Sequence, residues 1–141
     1  METTKSRVLI VEDNSDDEAL LLRQLTKAGF AKNVRVIHNG KHALKFLHSG
    51  EHDLIAVFLD LHLPEVNGLE ILEKVRGHEH LKTLPVIVMT SSNHPDEIAR
   101  CHRLGVNGFV QKPITFSTFS KAIADTFHSP LAFEPVSRSH E

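Results

Sequence analysis

A single cysteine, Cys101, excludes an internal disulfide from this chain of 141 residues, and a protein without disulfides is expected in the reducing cytoplasm. Long apolar runs are missing as well: none approaches the roughly 20 residues that a membrane-spanning helix requires. Charge of one sign is missing: 16 basic residues stand against 18 acidic ones, for a net charge of -2. That balance excludes a nucleic-acid surface and a polybasic membrane anchor. Internal repeats are absent, which excludes a solenoid. The start, residues 1–6, is short and polar, so no signal peptide is expected. What remains is 40% hydrophobic and 24% charged, the composition of one globular domain with a sizeable core.

The apolar residues fall into five short runs that alternate with five helical patterns. The run at 7–11 has no polar alternation and reads as a strand covered on both faces. Ser15 is the expected N-cap of the helix that follows, with Asp16, Asp17 and Glu18 in the first turn and Gly29 at the end. Further strands are expected at 34–37, 54–59, 85–89 and 108–111. Helices follow them, opened near Asn39-Gly40, Asn67-Gly68, Pro95 and Thr115. This alternation predicts an α/β protein: a doubly wound, five-stranded parallel sheet with helices on both faces. The strand order 2-1-3-4-5, one of those known for this architecture, is taken as the expected one. The domain is expected over 1–128. Residues 129–141 lose periodicity and read as a flexible tail or an arm that orders against a partner.

The apolar run before Asp60 stops at that carboxylate, where the chain is expected to surface, since a bare charge is costly in a core. Alone, Asp60 is an ordinary turn residue. The parallel sheet changes this, because it brings every strand's C-terminal end to one edge, where ligands bind in such folds. Glu12 and Asp13 end the first strand, Asp60 the third, Thr90 the fourth and Lys112 the fifth. Each has a bland reading as a cap, loop or solvated residue, but all five share one edge. The first and third strands are neighbours, so three carboxylates converge and repel. A divalent cation relieves that repulsion, and Mg²⁺ suits one or two carboxylates plus a phosphate. Lys112 adds positive charge and Thr90 a hydroxyl donor, the groups that stabilise a phosphoryl group in transfer. Asp60, on the central strand, is the nucleophile candidate, with Glu12 and Asp13 as the metal pair.

With these residues in place, the chain from 7 to 127 resembles the CheY-like receiver domain of two-component response regulators. The matching residues are Val11-Glu12-Asp13-Asn14, Leu59-Asp60 with Leu63-Pro64 and Asn67-Gly68, Thr90-Ser91, and Lys112-Pro113. The resemblance implies a flavodoxin/CheY-like fold in which Asp60 accepts a phosphoryl group from a cognate sensor histidine kinase. It implies Mg²⁺ bound by Asp13, Asp60 and the backbone carbonyl of His62, with Glu12 acting through water. Thr90 and Lys112 would contact the phosphoryl group, and Phe109 occupies the family's aromatic switch position. The family usually has Asp where this chain has Asn67, and often Asp in place of Glu12. Residues 12–17, the long loop at 78–84, and the segments 104–107 and 112–116 are similar to single-domain regulators that partner bacterial phytochromes. Those often dimerise through a C-terminal extension, which implies a possible homodimer here.

Three functional classes follow. The first is a phosphoaccepting switch whose helix 4, strand 5 and helix 5 face changes affinity for a protein target, or a phosphorelay intermediate that passes the group to a histidine-containing protein. The second is a phosphohydrolase working through an aspartyl phosphate. That class typically needs a second Asp two residues after the nucleophile, where this chain has His62. The third is a scaffold that no longer accepts phosphate. The switch, which is not a turnover enzyme, is favoured. No basic helix-turn-helix segment is seen, so output through protein contact is expected. Of the eleven histidines, none shows the spacing of a zinc site.

Overall fold

A computed structural model of the chain describes residues 5–30 and 32–127. The strands are β1 (Val8–Val11), β2 (Val34–Ile37), β3 (Ala56–Asp60), β4 (Val86–Thr90) and β5 (Gly108–Gln111). They form one parallel sheet in the order β2-β1-β3-β4-β5, the order expected for this architecture. The helices are α1 (Ser15–Lys27), α2 (Gly40–Ser49), α3 (Gly68–Gly77), α4 (Pro95–Arg103) and α5 (Phe116–Phe127). The segment 129–141, expected as a tail or dimerisation arm, lies outside the described residues.

Strand alternation divides the core in two. Leu9, Val11, Val57, Leu59, Val86 and Val88 face α2, α3 and Cys101 of α4. Val8, Ile10, Phe58, Ile87, Met89 and Val110 face Leu21 and Leu25 of α1 and Phe119, Ala122 and Ile123 of α5. Both faces of β1, β3 and β4 are therefore dry, which is why these strands read as unbroken apolar runs.

Local signals place the helix ends. The N-cap of α1 is Asn14 rather than Ser15: its side chain accepts the Asp17 N–H at 2.9 Å, and Ser15 is already helical. Asn67 caps α3 in a reciprocal box with Glu70. Thr115 caps α5 by accepting the Thr118 N–H at 3.1 Å. Three strands also differ in extent from expectation: β1 starts at Val8 rather than at 7, and β3 and β4 end one residue later than expected, at Asp60 and Thr90. β3 starts at Ala56 rather than at 54, and β4 starts after Pro85, whose ring nitrogen has no N–H for a ladder.

At the sheet edge opposite the strand ends, Arg76 acts as a staple. Its guanidinium donates to the carbonyls of Leu84 and Gly105 and to Asn107 Oδ1, each at 2.8 Å. Asn107 Oδ1 also accepts the Val86 N–H at 2.8 Å. α4 buries only Cys101, so this staple is a main anchor for its C-terminal end.

Gly68 opens α3 directly beneath the end of β3. Its N–H donates to the Leu61 carbonyl at 2.9 Å, and a Cβ there would run into the Asp60 carbonyl oxygen. Gly68→Ala should therefore destabilise the protein by about 1–3 kcal/mol, as overpacking does. Chemical denaturation of both proteins checks this, and a loss below about 0.5 kcal/mol would show that the loop has room to yield.

Candidate functional site

The register of the sheet builds the site. Val11 pairs with Leu59, so one residue further along Glu12 lies beside Asp60. Glu12 and Asp60 continue the alternation of Ile10 and Phe58, and Lys112 continues that of Val110, so all three project toward the α1 and α5 side. Thr90 continues the alternation of Val86 and Val88 and projects to the other side. Phe109 shares that second side, because it pairs with Val88 while Gln111 pairs with Thr90.

Asp60 does not surface. It is the last residue of β3 and only 5% exposed, and Glu12 is fully buried. The expectation that the strand ends at Asp60 because water is near is thus corrected: the compensating charge comes from protein. Lys112 Nζ lies 2.8 Å from Asp17 Oδ2, 3.0 Å from Glu12 Oε1 and 3.6 Å from Asp60 Oδ1. Two backbone donors add to this, with the Asn14 N–H at 3.1 Å from Glu12 Oε2 and the His62 N–H at 3.2 Å from Asp60 Oδ1. The Lys112–Pro113 peptide bond is cis.

Burial, and then the neighbouring Asp60 carboxyl, push the Glu12 carboxyl up from its ordinary value to about 7, against the pull of Lys112 and the Asn14 amide. Burial alone would lower the Lys112 ammonium. Asp17, Glu12 and Asp60 outweigh it and raise Lys112 above its ordinary value.

Glu12, Asp13 and Asp60 each offer a carboxylate oxygen within 4.8 Å of the others. Asp13 is exposed and the other two are buried, so the cluster opens to solvent through Asp13. Among the described residues this is the one group of acids, histidines and cysteines that can hold a metal ion. An all-oxygen donor set in which one carboxyl is pushed toward its neutral form fits a hard divalent cation, which would restore the ionised form.

The remaining expected residues sit around this core. Thr90 is 3% exposed, and its Oγ1 accepts the Ser92 N–H at 2.9 Å. Phe109 is half-buried and meets the His102 ring edge-on, with centroids 5.2 Å apart. His62 reaches away from Asp60 with its side chain, placing Nε2 2.9 Å from Glu97 Oε2 on α4. That hydrogen bond, more than any other contact, holds the Glu97 carboxyl below its usual range.

Sequence reasoning missed two of these residues. Asp17 was read only as favourable charge in a helix first turn, yet it makes the shortest contact to Lys112. Its signal was the position of that turn, which follows β1 at the same sheet edge. Glu97 carried no signal, because its distance from His62 in sequence hides their contact.

A buried acidic pocket with one lysine thus lies at the strand ends of a doubly wound parallel sheet. Comparison with known proteins gives the family. Residues 8–124 match the response regulator receiver domain model, and the chain belongs to that family. The chemotaxis protein CheY of Pseudomonas aeruginosa is 35% identical over 121 residues, covering 86% of this chain and 95% of that protein. The bacteriophytochrome response regulator AtBRR is 40% identical with a TM-score of 0.74, covering 89% of this chain and 94% of that one. A second such regulator, RtBRR, is 37% identical with a TM-score of 0.77, covering 88% and 78%.

The raised Glu12 carboxyl makes stability depend on pH. The folded protein keeps this proton to about pH 7, whereas the unfolded chain gives it up near 4.5. Folding takes up a proton between those values, so this contribution to stability is lost as pH rises through the window. In metal-free buffer, wild-type stability should fall relative to Glu12→Gln from about pH 4.5 to about pH 7, by no more than about 3 kcal/mol. Urea titrations across that range check it. Parallel profiles for the two proteins would remove the raised Glu12 from the account.

Proposed function

We propose that this protein is a phosphoaccepting signalling switch, in which Asp60 takes a phosphoryl group from a sensor histidine kinase. The observation that carries this reading is the bridge from Lys112 to Glu12, Asp17 and Asp60 inside a largely buried pocket. An ordinary structural lysine does not need three carboxylates. A phosphoryl site needs a nucleophilic carboxylate with a cation beside it.

Asp13, Asp60 and the backbone carbonyl of His62 would hold Mg²⁺ directly, with Glu12 acting through water, in keeping with the acidic cluster. Bound there, Mg²⁺ offsets the carboxylate charge so that an anionic donor can approach. An Asp60 oxygen attacks phosphorus, the bond from phosphorus to the donor breaks, and the donor leaves with its electron pair. Lys112 then exchanges part of its carboxylate contacts for a phosphoryl oxygen. The Thr90 hydroxyl, whose proton has no acceptor among the described residues, donates to another. Drawing Thr90 inward vacates space on the sheet face it shares with Phe109. The Phe109 ring turns into that space and alters the surface of α4, β5 and α5. Phosphorylation acts by stabilising that state over the other. The protein is a switch of this kind and not a turnover enzyme. The two bacteriophytochrome response regulators among its relatives support a bacteriophytochrome-type kinase as donor.

Asp60→Asn should abolish labelling by acetyl phosphate or a cognate kinase, and wild-type stoichiometry in the variant would exclude Asp60 as acceptor. Lys112→Ala should keep or raise Mg²⁺ affinity, since it removes a competing positive charge, yet leave the environment of Phe109 unchanged on phosphorylation. Mg²⁺ titration and a ¹⁹F label on the Phe109 ring read these two effects. Because Glu12 holds a proton to about pH 7, Mg²⁺ binding near neutral pH should release protons, measurable in weakly buffered solution, and Glu12→Gln should abolish the release.

A further inference from the structure

The sheet stops at β2, which among the described residues pairs only with β1. The Asn33 and Ile37 carbonyls accept from the Val8 and Glu12 N–H groups, each at 3.1 Å. In a parallel ladder successive residues turn their N–H and C=O to opposite sides, so Val34 and Val36 present theirs to the outside. That outer edge carries no proline and no lysine within β2, the usual means of blocking an edge.

Beside the edge lies a groove of about 600 Å³, lined among others by Arg35, Val36 and Ile37 of β2 and Lys45 and Phe46 of α2. Arg35 pairs with Leu9 across the sheet and so points to the α2 side. Its guanidinium carbon lies 4.9 Å from the Phe46 ring centroid. Among the described residues neither Arg35 nor Lys45 has a carboxylate partner; His38, which also lines the groove, places Nε2 2.9 Å from Glu18 Oε1. The one acid lining the groove is Glu51. Two uncompensated cations beside a free strand edge specify both a charge and a backbone shape.

We propose that this groove docks an extended acidic segment of a partner protein, which adds a strand to β2. Its backbone would pair with Val34 and Val36, and its carboxylates, on alternate residues, would meet Arg35 and Lys45. A single-stranded nucleic acid fits less well, because Arg35 already covers the face of Phe46 on which a base would stack. The groove lies at the opposite end of the sheet from β5, so the inference does not depend on the role of Asp60.

The test uses the full chain and a fluorescein-labelled peptide of alternating Glu and Val, followed by fluorescence anisotropy. Saturable binding that weakens with salt is expected. Arg35→Gln and Lys45→Gln should each weaken it about tenfold, with circular dichroism unchanged. The same peptide N-methylated on alternate amides, on the side that pairs with β2, should also bind about tenfold more weakly. The proposal is overturned by absence of saturable binding, by unchanged affinity in both variants, by equal binding of the methylated peptide, or by an oligothymidylate that displaces the peptide at equal concentration.

Discussion

Lys112 sits where three carboxylates would otherwise force one another apart. At a separation of about 3 Å and an effective dielectric of about 20, one such attraction is on the order of 5 kcal/mol, and two carboxylates held that close repel by a similar amount. Desolvating the charges takes back much of this gain. The lysine thus makes it possible to keep the group rather than adding much net stability. The residual strain appears on Glu12, which burial and Asp60 push to about 7. The pocket is held in balance by a single flexible side chain, and a new anion or cation in it must alter that balance.

The sheet sorts the groups around Asp60 onto two sides. Alternation sends Glu12, Asp60 and Lys112 to one side of the strand ends and Thr90 with Phe109 to the other. A group attached to Asp60 therefore meets charge on one side and a hydroxyl backed by a half-buried ring on the other. Those two sides have separate cores, one against α2, α3 and α4 and the other against α1 and α5. α4 buries one side chain and has no side-chain cap at His94. It is tied at one end to His62 through Glu97 and at the other to Arg76 through Gly105.

Much of this was legible in the order of residues. Unbroken apolar runs alternating with helical patterns gave the parallel sheet, and polar residues at the run ends gave the site's members. Asp60, Glu12 and Asp13 do meet, with Lys112 beside them. The misreadings share a cause. Asn14 displaced Ser15 as the cap because both residue types cap well, and only backbone geometry chooses between neighbours. Asp60 was expected to surface because a lone carboxylate in a core is prohibitive, and its buried cation comes from a strand two positions away in the sheet.

The sequence by itself determined the sheet, its two dry faces and the membership of the strand-end cluster. These depend on periodicity and on residue type, which are local. Only the tertiary structure decided that Asp17 completes the lysine's contacts, that His62 turns to Glu97, and that among the described residues Arg35 and Lys45 at the β2 edge have no carboxylate partner. Those facts depend on which side chains lie within about 4 Å across separate elements, and electrostatic contacts at that range depend on register and packing rather than on any pattern along the chain.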